Sequence, residues 1–220
     1  MSKTQDFEQQ DKEYIANTYG RFNVCFEKGK GSLLWDVEGK EYIDLGSGIG
    51  VTAFGVDDDE WSKAVIAQTH ALNHISNLYY SVPQIKLAEM LCKRTGMKKV
   101  FFCNSGAESN ECAIKAARKY SHDKYGDGRN VIVTLVNSFH GRTLTTLSAT
   151  GQDVFHQHFF PFTEGVVHTP ANDIDEALKV LANPAVCAIM MEPIQGEGGV
   201  MPLAKEFVQA VTKKAQEQDQ

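Results

Sequence analysis

The sequence predicts an α/β fold whose strands pair largely in parallel. Three observations carry this. From about residue 99 onward, short apolar runs alternate with longer stretches of helical apolar spacing, the pattern of strand–helix–strand units. Several of the strand-like runs end in loops rich in small and polar residues. The chain has 220 residues, 42% hydrophobic and 23% charged, which is ordinary for a globular protein with one sizeable core or a core with an appendage.

Residues 1–12 are polar and read as frayed. Ser32 to Leu45, "SLLWDVEGKEYIDL", reads as a hairpin, two apolar runs around Glu38-Gly39-Lys40. Gly46 to Gly55 is a glycine-rich loop. A helix fits Glu60 to Leu72, with Trp61, Ala64, Val65 and Gln68 at helical spacing. A second helix starts at Pro83, a good first-turn residue, and stops at Gly96. Then come a strand over Lys99–Cys103, a helix over Gly106–Tyr120, a strand over Asn130–Val136 and a short helix in "GRTLTTLSATG". A strand over Gly165–His168, a helix over Ile174–Leu181, a strand over Ala185–Met191 and a helix over Ala204–Gln216 complete the alternation. A further strand is due after that helix, so the sequence reads as cut.

Composition excludes several classes. The net charge is −6 and no Lys/Arg block stands out, so there is no electrostatic footprint for nucleic acid. The N-terminus lacks the apolar stretch of a signal peptide, and runs such as "AVCAIMM" are too short to span a membrane. Five cysteines, an odd count without C-x-x-C, point to reduced thiols in a cytoplasmic protein, each a small core hydrophobe. His70 and His74 lie four apart without the Glu of H-E-x-x-H, and His156 and His158 have no third ligand, so no metal is expected.

The chemistry concentrates in three loops. In Asn104-Ser105-Gly106-Ala107 an apolar run becomes a helix through very small residues. The first N–H groups of a helix have no internal partners and carry partial positive charge, so a phosphate can sit against bare backbone there. Ser105 adds a hydroxyl; it also reads as a helix cap, with Glu108 three residues on completing a capping box. "GSGIGV" is not a dinucleotide fingerprint, because its spacing is G-x-G-x-G, and no P-loop occurs. "NSFHGRT" puts Phe139, His140 and Arg142 just past a strand, where open α/β sheets bind ligands. Phe139 offers a flat apolar face and Arg142 a two-pronged grip for a carboxylate. "MEPIQGEGG" places Glu192 and Glu197 past another strand.

Together, "FFCNSGAESNECAIKAAR", "SFHGRTLTTLSATG" and "MEPIQGEGGV" resemble the class III aminotransferases, which depend on pyridoxal phosphate, and most of all their acetylornithine-using branch. "LLWDVEGKEYIDLGSGIGV" and "HISNLYYSVPQIKLAEML" extend the resemblance over nearly all of residues 14–203. The resemblance implies a three-layer, mostly parallel sheet of the fold type I transferases. Residues 1–55 would be an N-terminal segment with a hairpin, part of a small domain, and residues 56–220 an incomplete cofactor-binding large domain. It implies that Ser105, Gly106 and Ala107 hold the cofactor phosphate, Phe139 stacks on its ring, and His140 and Glu192 complete the cofactor pocket. Arg142 would take a substrate carboxylate and Glu197 would stand near the substrate, pairing in relatives with a second arginine. Tyr19, with Arg21, would lie near the substrate. At Ala107 the family often has Thr, so one hydroxyl contact is missing here.

The implied reaction moves the terminal amino group of N-acetylornithine to 2-oxoglutarate, giving glutamate, in arginine biosynthesis, within a cytoplasmic homodimer. The Schiff-base lysine and the acid that pairs with the pyridine nitrogen would both lie past Gln220, so the chain alone is expected to be inactive and to fold badly without a partner. Strands past that point would also flank the Lys99–Cys103 strand. Ornithine and other ω-amino-acid aminotransferases share most of these motifs. A non-catalytic chain that binds phosphate or associates with another subunit is the reading from a different class.

Overall fold

A computed structural model describes residues 2–220, which form two units, one ending at Leu87 and the other spanning Ala88–Gln220. The first unit opens with a helix, α1 (Lys3–Tyr14), where the sequence suggested a frayed end. Its cap explains the difference. Ser2 Oγ accepts the Gln5 N–H, and Gln5 Oε1 accepts the Ser2 N–H at 2.9 Å, a reciprocal capping box. Thr4 then donates from its backbone and its hydroxyl to the Glu38 carboxylate, at 2.9 and 2.7 Å, which ties α1 to the hairpin turn.

Three antiparallel strands follow, in the order β1 (Phe26–Lys30), β2 (Leu33–Asp36), β3 (Glu41–Ile43). β2 and β3 are the expected hairpin; β1, with the unpromising sequence FEKGK, was not expected. Asp36 organises the turn by accepting from Glu38 N–H (3.1 Å), Lys40 N–H (2.8 Å) and Tyr42 O–H (2.9 Å). Burial alone would raise its pKa, but these bonds outweigh it and hold the carboxyl below its ordinary value. The glycine-rich loop contains one short turn, α2 (Ser47–Gly50), with Gly48 and Ile49 in the left-handed region. Helices α3 (Asp59–Leu72) and α4 (Val82–Thr95) match the expected spans to within a residue, and the boundary between the units falls inside α4.

The second unit contains α5 (Gly106–Tyr125), β4 (Val131–Leu135), α6 (Leu144–Ala149), β5 (Val166–Thr169), α7 (Ile174–Leu181) and β6 (Val186–Ile189). A small antiparallel pair, β7 (Ile194–Gln195) and β8 (Met201–Pro202), leads to α8 (Lys205–Glu217). The main sheet has the order β5-β4-β6, all parallel. β4 shows why this is a three-layer unit. Val133 and Leu135 point to one face and pack with Ala177, Leu181, Phe207 and Val211 of α7 and α8. Ile132 points to the other and packs with Ile114 of α5 and Ala149 of α6. Both faces of the central strand are buried, as parallel sheets require.

One expected strand is not formed. Residues 99–103 join no ladder, and Phe101 is 63% exposed. The apolar run there has strand character, but no neighbouring strand among the described residues supplies hydrogen bonds to it.

Candidate active site

The site residues of the second unit gather at the C-terminal end of β4. The N-terminus of α5 forms one wall. Ser105, in extended backbone, caps the helix: its Oγ accepts the Glu108 N–H at 3.1 Å. Glu108 does not close the box on Ser105 but reaches one residue further back, to the Asn104 N–H at 2.5 Å. The Ser105 hydroxyl keeps its own proton to donate. Among the described residues no acceptor meets the N–H of Gly106 or of Ala107. Beside Gly106 the space is open, since a Cβ placed there would have no atom within 4 Å. These are bare donors at the positive end of a 20-residue helix.

The second wall is the loop Asn137–Thr143, and it is locked onto the first. Asn110, one turn into α5, donates from Nδ2 to the His140 carbonyl at 2.8 Å. Gly141 sits at φ +127°, and a Cβ there would lie 2.8 Å from the Ala107 Cβ and 2.6 Å from Thr146 Oγ1. Only glycine permits so close an approach in that backbone conformation. Thr143 Oγ1 donates to Glu111. The phosphate-type donors and the Phe139 loop therefore stand side by side.

Phe139 is half-buried. Its ring meets Phe155 edge-on, with centroids 5.9 Å apart, and the Arg142 guanidinium lies 5.8 Å from the Phe139 centroid and 5.9 Å from that of Phe155. His140 is buried beneath the loop. Its N–H donates to Thr150 Oγ1 at 2.9 Å, while its Nε2 has no partner among the described residues. Burial pushes its pKa below the ordinary histidine value, against the pull of Glu192; His168 is lowered mainly by burial as well.

Glu192 and Glu197 lie on the third loop. Glu192 uses its two oxygens as a clamp, accepting from the Phe139 N–H at 2.9 Å and the Gly196 N–H at 3.2 Å. Asn137, at φ +66°, donates from Nδ2 to the Gly198 carbonyl at 2.6 Å, so the second and third loops are bonded twice. Glu197, on the exposed side, accepts from Gln152 Nε2 at 2.5 Å.

Of the residues singled out in the sequence, Ser105, Gly106, Ala107, Phe139, His140, Arg142, Glu192 and Glu197 all fall on these three loops. Tyr19 and Arg21 lie in the first unit, on the stretch after α1, where Arg21 pairs with Asp11 at 3.1 Å. Sequence reasoning missed Asn110, Gln152 and Phe155. Asn110 was recoverable, being four residues from Gly106 and so on the same helix face. Gln152 and Phe155 carry no local signal. Among the described residues no group of His, Cys, Asp and Glu is arranged to hold a metal, and no helix is long and apolar enough to cross a membrane.

The family model "Aminotransferase class-III" matches residues 14–220. The chain belongs to the class III aminotransferases. It is 54% identical over 211 residues to an acetylornithine aminotransferase of Haemophilus ducreyi, a match over 96% of this chain and 54% of that protein. It is 46% identical to one of Caldanaerobacter subterraneus, over 95% and 53%. An ornithine aminotransferase from Toxoplasma gondii superimposes with a TM-score of 0.93 at 26% identity, over 100% of this chain and 52% of that one. A second structure of the Toxoplasma gondii enzyme, described with partial occupancy of PLP at its active site, gives 0.93 at 27%, over 98% and 51%. An N-acetylornithine aminotransferase from Stenotrophomonas maltophilia gives 0.78 at 35%, over 96% and 51%. This class III chain thus spans about half the length of the curated relatives it matches, and its parallel three-layer unit has the fold type I architecture of its structural neighbours.

Proposed function

We propose that this chain supplies the phosphate seat, ring platform and carboxylate grip of an aminotransferase that moves an amino group between N-acetylornithine and 2-oxoglutarate with pyridoxal phosphate. The observation that carries the reading is the pair of bare N–H donors at Gly106 and Ala107, joined to the loop that bears Phe139 by the Asn110 hydrogen bond and the close approach of Gly141. The acetylornithine relatives support the choice of amino donor.

When bound, the cofactor supplies an electron sink for the carbon that loses a proton. The chain's residues do the rest of the binding. Gly106, Ala107 and Ser105 donate to the phosphate at a helix N-terminus, where an anion is favoured. Phe139 covers a ring face, its main chain held by Glu192. Arg142, backed by Phe139 and Phe155, receives a substrate carboxylate. Glu197 faces the substrate from the third loop, and the family resemblance alone supports a substrate role for Tyr19. We assign the lysine that the chemistry needs to none of these 220 residues. The complete protein is a cytoplasmic homodimer on the same reading, as the family resemblance implies.

Titration with pyridoxal phosphate and with pyridoxal, followed by fluorescence, tests this. Pyridoxal phosphate is expected to bind the more tightly, with inorganic phosphate competing. Phe139→Ala is expected to weaken it by about 2- to 12-fold, the equivalent of a ring contact of about 0.5–1.5 kcal/mol. Equal affinity for the two compounds would overturn the phosphate seat.

A further inference from the structure

The segment after α6 begins at Gly151, which bridges in parallel to Val136. No side chain fits there, because a Cβ would stand 2.1 Å from the Leu135 carbonyl oxygen. The start of the segment is thereby pinned to the end of β4. Gln152 comes next and is half-buried. Its Nε2 donates to the Ser138 carbonyl at 3.2 Å and to Glu197 Oε2 at 2.5 Å. One neutral amide thus spends both its hydrogens, on the loop that carries Phe139 and on the carboxylate of the third loop.

We infer that Gln152 is a positioning residue that parks the Glu197 carboxylate against the Phe139 loop and so admits a dicarboxylate substrate to the site. The inference rests on the proposed placing of Arg142 and Glu197 at the substrate. A neutral donor suits this task. It tethers the carboxylate without cancelling its charge, whereas lysine or arginine would lock it in an ion pair and an aliphatic residue would leave it loose. An untethered carboxylate beside the site is free to swing toward the second carboxylate of a keto diacid and repel it. A substrate with a single carboxylate, held by Arg142, feels that repulsion less. Gln152 therefore acts on one half-reaction more than on the other.

Steady-state kinetics of the complete protein, with each substrate varied in turn, test the inference. Gln152→Ala is expected to raise KM for 2-oxoglutarate about tenfold, the scale of a lost hydrogen bond to a charged group. The KM for the amino donor and kcat at saturation should stay within about twofold, since Arg142 keeps its two rings and the Phe139 loop keeps its bonds to Glu192 and Asn110. Gln152→Glu, which sets a second negative charge beside the first, is expected to raise the diacid KM further. Phe155→Ala, which removes a ring from Arg142, should raise both KM values together. Equal losses for the two substrates in Gln152→Ala, or an unchanged diacid KM, would overturn the inference. A wild-type protein that turns over no amino donor sinks the proposed function instead. The tether is then judged by the side-chain amide signals of Gln152 in NMR: Glu197→Ala is expected to shift them and speed their exchange, and unaltered signals refute it.

Discussion

Gly141 shows how much one residue can govern. Its φ of +127° and its contacts with Ala107 and Thr146 let the Phe139 loop close on the N-terminus of α5. Gly141→Ala brings both backbone strain of about 1–3 kcal/mol and overpacking of about 1–3 kcal/mol. The loop is expected to lift from Ala107, with a lower Tm and weaker pyridoxal phosphate binding measured in one thermal-shift series. An unchanged Tm and affinity would show that the closure is not needed. From the sequence, the small residues at 105–107 already implied close approach by something. The sequence left open whether Ser105 is a cap or a phosphate donor; its Oγ caps Glu108 N–H and its proton is still available. Gln152 was invisible because its partners, Ser138 and Glu197, are 14 and 45 residues away.

The loop after β4 and strand β5 hold two histidines whose charged forms burial opposes, His140 and His168. Glu192 faces His140 and favours its proton while His168 disfavours it; His156 disfavours the charge on His168 and Asp153 favours it. The unfolded chain titrates near the ordinary 6.5 and the folded chain lower, so the unfolded state binds more protons in that window. Stability of the second unit is therefore expected to be full above about pH 6.5 and to fall as pH drops below it. Urea unfolding at a series of pH values measures this, and His168→Asn should flatten the slope. A profile that stays flat between pH 7 and about 5 would contradict it. At element scale helices α5 to α8 and the three strands of the main sheet were legible, because their apolar periodicities agree with their burial in three layers, whereas the short pair β7 and β8 was not expected. α1 and β1 were not. Their sequences are polar, and they are stabilised by a cap, by Glu38 and by pairing with β2.

At the scale of the molecule, the two units differ in how much they bury. Up to Leu87, Val37 alone among the described hydrophobic residues is buried, whereas Leu45, Ile49 and Tyr80 are 92%, 100% and 95% exposed. Apolar surface on that scale leaves the first unit with little core of its own to stabilise it. In the second unit, residues 99–103 have no strand beside them among the described residues. The 220 residues alone are therefore expected to melt with weak cooperativity, followed by circular dichroism and calorimetry. A single sharp transition with calorimetric and van't Hoff enthalpies equal would refute this. The sequence by itself determined helices α5 to α8, the three strands of the main sheet and the small-residue turn at the entrance to α5, because periodicity and residue size act locally. Only the tertiary structure decided that the three loops are bonded into one site, that residues 99–103 stay out of the sheet, and that Gln152 reaches Glu197. Those outcomes depend on partners far apart in the chain, which become neighbours only when β4 is buried between its two layers of helices.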